Sequence, residues 1–119
     1  MLSPIAADHV QNPRRQGPLE GEDVQYGVSG SPGDGPYVEI WTRIHDGIIA
    51  QAAYRTHGCP SSVAASSMTC QLAEGKPLTF PDLLTAEDLI LVLGGLPEGK
   101  ERFARMAVEA LRKSVEKKS

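Results

Sequence analysis

The chain has 119 residues, of which 40% are hydrophobic, 23% charged and 5% aromatic, with a formal charge of -3. That length suits one domain spanning residues 1–119, and the composition excludes collagen-like and wholly disordered chains. The acidic balance is the reverse of a general nucleic-acid binder's, and no run approaches the roughly 20 apolar residues of a membrane helix.

Residues 1–22 show little periodicity. A short helix over residues 4–10 is expected, followed by irregular chain to Asp23, as for a docked or frayed terminus. The first residues lack a basic segment followed by an apolar core, so no secretory signal is expected and a cytoplasmic location is the expectation. Residues 24–29 alternate weakly and predict a strand. Gly30-Ser31-Pro32-Gly33-Asp34-Gly35-Pro36 must be loop, with three glycines and two prolines in seven residues. In residues 37–44, Val38, Ile40 and Ile44 share one face of a strand, and Tyr37, Glu39, Trp41 and Arg43 share the other. His45-Asp46-Gly47 supplies an Asp-Gly hairpin turn, and residues 48–56 return as a third antiparallel strand.

From Cys59 onward the pattern is helical. Pro60 suits a first helical turn, the stretch to Glu74 is rich in alanine and serine, and Gly75 suits the position just past the end. Thr85 with Asp88 three residues on predicts a capped helix running to Leu93. After Pro97, Phe103, Met106, Ala107, Ala110 and Leu111 recur on one helical face. Glu98 and Glu101 near that helix's start, and Arg112, Lys113, Lys117 and Lys118 near its end, complement its dipole. The fold class expected is α+β: a three-stranded antiparallel sheet with helices packed on it.

Two cysteines are too few for a disulfide framework or a four-cysteine metal site. Cys59 falls where a strand ends and a helix begins, and outward N–H groups there favour a thiolate, the form that binds metal or attacks an electrophile. The other reading of Cys59 is a small packed hydrophobe. Cys70, eleven residues on, is separated from it by roughly 16 Å of helix, too far for a shared metal or a disulfide, and reads as core. His57 is either a second ligand beside Cys59 or a surface histidine. Asp34 is either a turn residue or a site carboxylate. Gly30–Gly35 lacks the lysine and following helix of a phosphate loop, and the serines after Pro60 have no Gly-x-Ser-x-Gly context, so both of those readings fall away.

Five segments in order resemble the IscU/NifU N-terminal type of iron–sulfur cluster assembly scaffold. They are Asp8-His9 with Asn12-Pro13-Arg14 and Gly17-Pro18-Leu19, then Gly33-Asp34 before a strand, then Gly58-Cys59-Pro60 heading a small-residue helix, then Gly75-Lys76, then Leu96-Pro97-Glu98-Gly99-Lys100. The resemblance implies a scaffold rather than an enzyme, with an iron–sulfur cluster, iron or zinc as cargo, and a cysteine desulfurase or chaperone as partner. It places metal and cluster contacts at Asp34 and Cys59, with His57 assisting, and partner contacts at Leu96, Pro97 and Lys100. The chain departs from the family at three ligand positions, where Pro32, Arg102 and Phe103 stand instead of two cysteines and a histidine. Two remaining ligands complete neither a zinc site nor an ordinary cluster site. Three functions follow: a scaffold binding weakly or shared between two copies of a homodimer, an interaction module of the same fold without metal, or a thiol enzyme using Cys59. The guanidinium of Arg102 is expected to pair with Asp34 in place of the metal.

Overall fold

The computed structural model describes residues 2–116. Lys117 and Lys118 lie outside the described residues. Helix α1 (Pro4–Gln11) precedes strands β1 (Val24–Gly30), β2 (Tyr37–His45) and β3 (Ile48–His57), and helices α2 (Pro60–Ala73), α3 (Phe80–Leu83), α4 (Ala86–Val92) and α5 (Glu101–Val115) follow. The strands form one antiparallel sheet in the order β1-β2-β3. This is the α+β arrangement the patterning predicts.

Alternation along β2 decides which face meets the helices. Val38, Ile40 and Thr42 are fully buried there, and the Thr42 hydroxyl donates to the carbonyl of Ser114 on α5 at 3.0 Å. Between β2 and β3, Asp46 (φ 51°) and Gly47 (φ 74°) take the two left-handed positions of a tight hairpin turn. A register shift at Arg43/Ile44 follows from a bulge beside it. Glu39, on the other face of β2, is only 5% exposed. Its carboxylate accepts from the Tyr26 hydroxyl at 2.6 Å and from Arg55 Nε at 2.8 Å, so its burial is compensated. Burial, and then this bond to Glu39, push the Tyr26 hydroxyl up to about 12.

The outer edge of β3 is closed by chain from two places. Gly17 N–H donates to Tyr54 O at 2.7 Å and Tyr54 N–H to Arg15 O at 2.9 Å. Further along, Gly75 N–H donates to Ile49 O at 2.8 Å, and Ala52 N–H to Glu74 Oε2 at 3.1 Å. The segment after α1, expected as irregular chain, therefore carries ladder-like bonds that protect an edge.

Helix α2 is buried on most of its circumference, and its alanines and serines let neighbours approach from several sides. Helix α5 is amphipathic: Phe103, Ala104, Ala107, Val108, Ala110 and Leu111 are buried, and burial of Phe103 or Leu111 contributes about 1.5–3 kcal/mol each. Helix α4 starts with the expected reciprocal cap between Thr85 and Asp88. Helix α3 is one turn of four residues, too short for hydrophobic periodicity to announce. Helix α5 begins at Glu101, later than expected, because residues 97–100 form a turn closed by Lys100 N–H to Pro97 O at 3.0 Å.

Helix α1 is capped by Ser3, whose hydroxyl accepts from Ala6 N–H at 3.1 Å. It docks on α2 through His9, which is 3% exposed with Nδ1 2.8 Å from Ser67 Oγ. Burial lowers the His9 pKa, the Arg14 charge lowers it further, and Asp8 partly opposes both. A histidine whose folded pKa is depressed takes up its proton preferentially when unfolded, so its contribution to stability is full above about pH 6.5 and shrinks as pH falls below it. Urea unfolding is expected to show a lower midpoint at pH 5.5 than at 7.5, and His9→Gln is expected to flatten that difference. An undiminished pH difference in His9→Gln would assign it elsewhere.

Candidate thiol site at the strand-to-helix junction

Strand β3 ends at His57, Gly58 follows, and Cys59 is the residue that precedes the first turn of α2. Cys59 is extended (φ -107°, ψ 176°), which turns the chain from strand to helix, and Pro60 opens the helix as expected. The carbonyl of Cys59 accepts from Ser62 N–H at 2.9 Å and from Ser62 Oγ at 2.7 Å. Its thiol is half-buried. Burial pushes that thiol up, but the N–H groups of Ser61 and Ser62, the Ser61 hydroxyl and the Lys100 ammonium together outweigh it. The net pKa is lowered, which raises the thiolate share at any given pH. Cys70 is the opposite case: it is wholly buried, and burial pushes its thiol strongly up. It is a packing residue, as its spacing suggested.

The structure brings the Asp34 loop to His57. His57 faces Tyr37 across the sheet, and their rings stack with centroids 6.1 Å apart at 20°. Gly33, Gly35, Tyr37 and His57 line a cavity of about 350 Å³. Asp34 itself is exposed in a turn, its N–H donating to Ser31 O at 2.9 Å, and Pro32 is exposed beside it.

Phe103 is buried, as its place on the apolar face of α5 predicts, whereas Arg102 does not pair as the sequence suggested. Phe103 is 1% exposed, and its Cε1 lies 3.0 Å from where a Cβ on Gly58 would stand. The ring therefore fills the space directly beside the residue before Cys59. The Arg102 guanidinium carbon lies 4.9 Å from the centroid of that ring, a cation–π distance. The expected pairing of Arg102 with Asp34 is corrected: no ion pair joins them among the described residues. The adjacent ring is within reach of the guanidinium, whereas the Asp34 carboxylate is solvated on its loop.

Lys100, expected as a partner contact with Leu96 and Pro97, has a second role that the sequence does not announce. The turn over residues 97–100 places its charge where it contributes, as the smallest of several causes, to the lowered Cys59 pKa. A sequence separation of forty-one residues carries no signal of that proximity. Leu96 packs on the hydrophobic core and is only partly exposed, and so is Pro97.

The donor set was tested against a bound metal. Among the described residues, no group of three or more histidine, cysteine, aspartate or glutamate side chains could hold one. His9 is committed to Ser67, His45 stands in the hairpin turn beside Asp46, and Cys70 is in the core. Asp34, His57 and Cys59, expected as one ligand set, do not form one within a single chain. No helix among the described residues is long and apolar enough to cross a membrane.

Residues 3–118 match the family model of the NifU-like N terminal domain. The chain is 34% identical over 115 residues to the iron-sulfur cluster assembly scaffold protein IscU 1 of Archaeoglobus fulgidus, covering 97% of this chain and 74% of that one. It is 31% identical over 111 residues to the scaffold protein IscU of Escherichia coli K12, covering 91% and 86% respectively. The crystal structure of a nitrogen-fixing NifU-like protein (N-terminal) from Brucella abortus superposes with a TM-score of 0.58 at 23% identity, over 95% of this chain and 76% of the other. That last likeness concerns the fold.

Proposed function

The chain belongs to the NifU-like N-terminal domain family, and on that footing we propose that it serves iron–sulfur cluster assembly as a scaffold whose contact with the cargo is the Cys59 thiolate. Cys59 supplies a bond to iron or to sulfur, and the Asp34 loop and His57 form the neighbouring wall. The ligands that one chain lacks come from outside it, from a second copy or from the protein that delivers or receives the cargo. A cysteine desulfurase or a chaperone would meet the face that carries Cys59, Lys100 and the turn after Leu96.

The observation that supports this reading is the accessible thiol at the head of α2, with its pKa lowered by N–H groups and a lysine. Thiolate is the form of cysteine that ligates iron and accepts sulfur. The test is reconstitution with ferrous iron and sulfide under reducing, oxygen-free conditions, with chain-bound iron and sulfide measured after gel filtration. Cys59→Ala is expected to lower both by at least about tenfold, because it removes the one accessible thiolate, while Cys70→Ala leaves them unchanged. Equal loading of Cys59→Ala and the native chain would overturn the reading.

A further inference from the structure

We propose that the Phe103 ring, lidded by the Arg102 guanidinium, is a plug that takes the place of a metal ion beside Cys59, so that a single copy binds no divalent cation there. The inference deepens the scaffold reading, on which it rests for the nature of the cargo. It says that cargo is never held by one chain alone.

Three observations carry it. First, the ring is almost wholly buried and pressed against the backbone of Gly58, with Ser62 on the same side: a Cβ on Gly58 would stand 3.0 Å from both Phe103 Cε1 and Ser62 Oγ. The space against the Gly58 backbone, one residue before Cys59, is thus filled by hydrocarbon on the side of α5. Second, cations accompany the ring and the thiol. The Arg102 guanidinium carbon stands 4.9 Å from the centroid of the ring, and the Lys100 ammonium is the smallest of the influences that lower the Cys59 pKa. Cations oppose the approach of a divalent ion. Third, too few donors converge. A closed zinc site needs four ligands, and no group of even three candidate side chains occurs among the described residues.

In proteins with a structural metal, the ion ties loops together. Here the ring does that mechanical work, joining α5 to the turn between β3 and α2, so the junction is ordered without an ion.

The test measures zinc on the purified chain as a monomer, by metal analysis and by competition with a chromophoric chelator, in the native chain, Cys59→Ala and Phe103→Cys. The native chain is expected to keep no stoichiometric zinc and to match Cys59→Ala. Phe103→Cys removes the plug and adds a thiolate, and should bind zinc at least about 100-fold more tightly than the native chain. Folding of Phe103→Cys is checked by circular dichroism. Whatever its folding, a second measurement on the native chain decides: the rate of Cys59 alkylation by iodoacetamide is expected to be the same with and without micromolar zinc. Protection of Cys59 by zinc, retention of about one zinc per monomer that Cys59→Ala loses, or a folded Phe103→Cys with no gain would each overturn the plug. Zinc binding by the native monomer would leave the Cys59-dependent iron and sulfide loading intact, so the two readings fail separately.

Discussion

Gly27→Ala is expected to lower the unfolding free energy by about 3 kcal/mol or more, a Tm loss of roughly 10 °C or more. Gly27 lies in β1 directly beneath α5. A Cβ added there would meet the carbonyl oxygen of Ala110 at 2.3 Å and the nitrogen of Ser114 at 2.4 Å. Both are backbone atoms of a helix whose apolar face is packed on the sheet, so neither can move without moving the helix. Small residues on the helix, Ala107 and Ala110, complete the close approach from the other side. Thermal and urea unfolding of Gly27→Ala beside Gly33→Ala controls for a glycine substitution as such. Gly33 has open space around it, though its φ of 86° makes that substitution strained in its own way. A Gly27→Ala variant as stable as the native chain would mean that α5 does not press on β1 as described.

Phe103→Ala is expected to cost about 3–5 kcal/mol, the range for deleting a fully buried aromatic ring. The ring is the largest fully buried side chain of the molecule, and it holds α5 against the β3–α2 turn. A double-mutant cycle separates that local contact from general core loss. Gly58→Ala in the native background places a methyl 3.0 Å from the ring and is expected to cost about 1 kcal/mol, within the range for modest overpacking. In a Phe103→Ala background the methyl still meets Ser62 but no longer the ring, so the cost should fall and leave a coupling of about 0.5 kcal/mol between the two sites. Strict additivity in urea unfolding would show that Gly58 and the ring do not touch. The same cycle bears on the plug, because the contact it measures is the one proposed to exclude a metal.

The strands and α5 were legible because each carries its own period, and α2 because Pro60, a run of small residues and Gly75 mark a helix and its ends. Val38 and Ile40 alternate with Tyr37 and Trp41, and Phe103, Ala107, Ala110 and Leu111 recur by helical turns. Caps and turns were legible for the same local reason: Asp46-Gly47 and Thr85 with Asp88 encode their conformations within a few residues. Alternation put Glu39 on the opposite face from Val38 and Ile40, and left open what covers it. Only the side chains of Tyr26 and Arg55, from the two neighbouring strands, show that it is covered and bonded.

The site divides in the same way. That a thiol stands at the head of a helix follows from Gly58-Cys59-Pro60 alone, and so does the shortage of ligands, since two cysteines can be counted without coordinates. Which cation faces that thiol, and what fills the vacated ligand positions, are contacts between segments some forty residues apart. Their geometry depends on how α5 docks against the sheet. Arg102 had one partner in prospect, the Asp34 carboxylate, and Lys100 was expected to meet a partner protein. Tertiary packing set Arg102 on the Phe103 ring, left Asp34 to the solvent, and let the Lys100 charge add to the lowered Cys59 pKa.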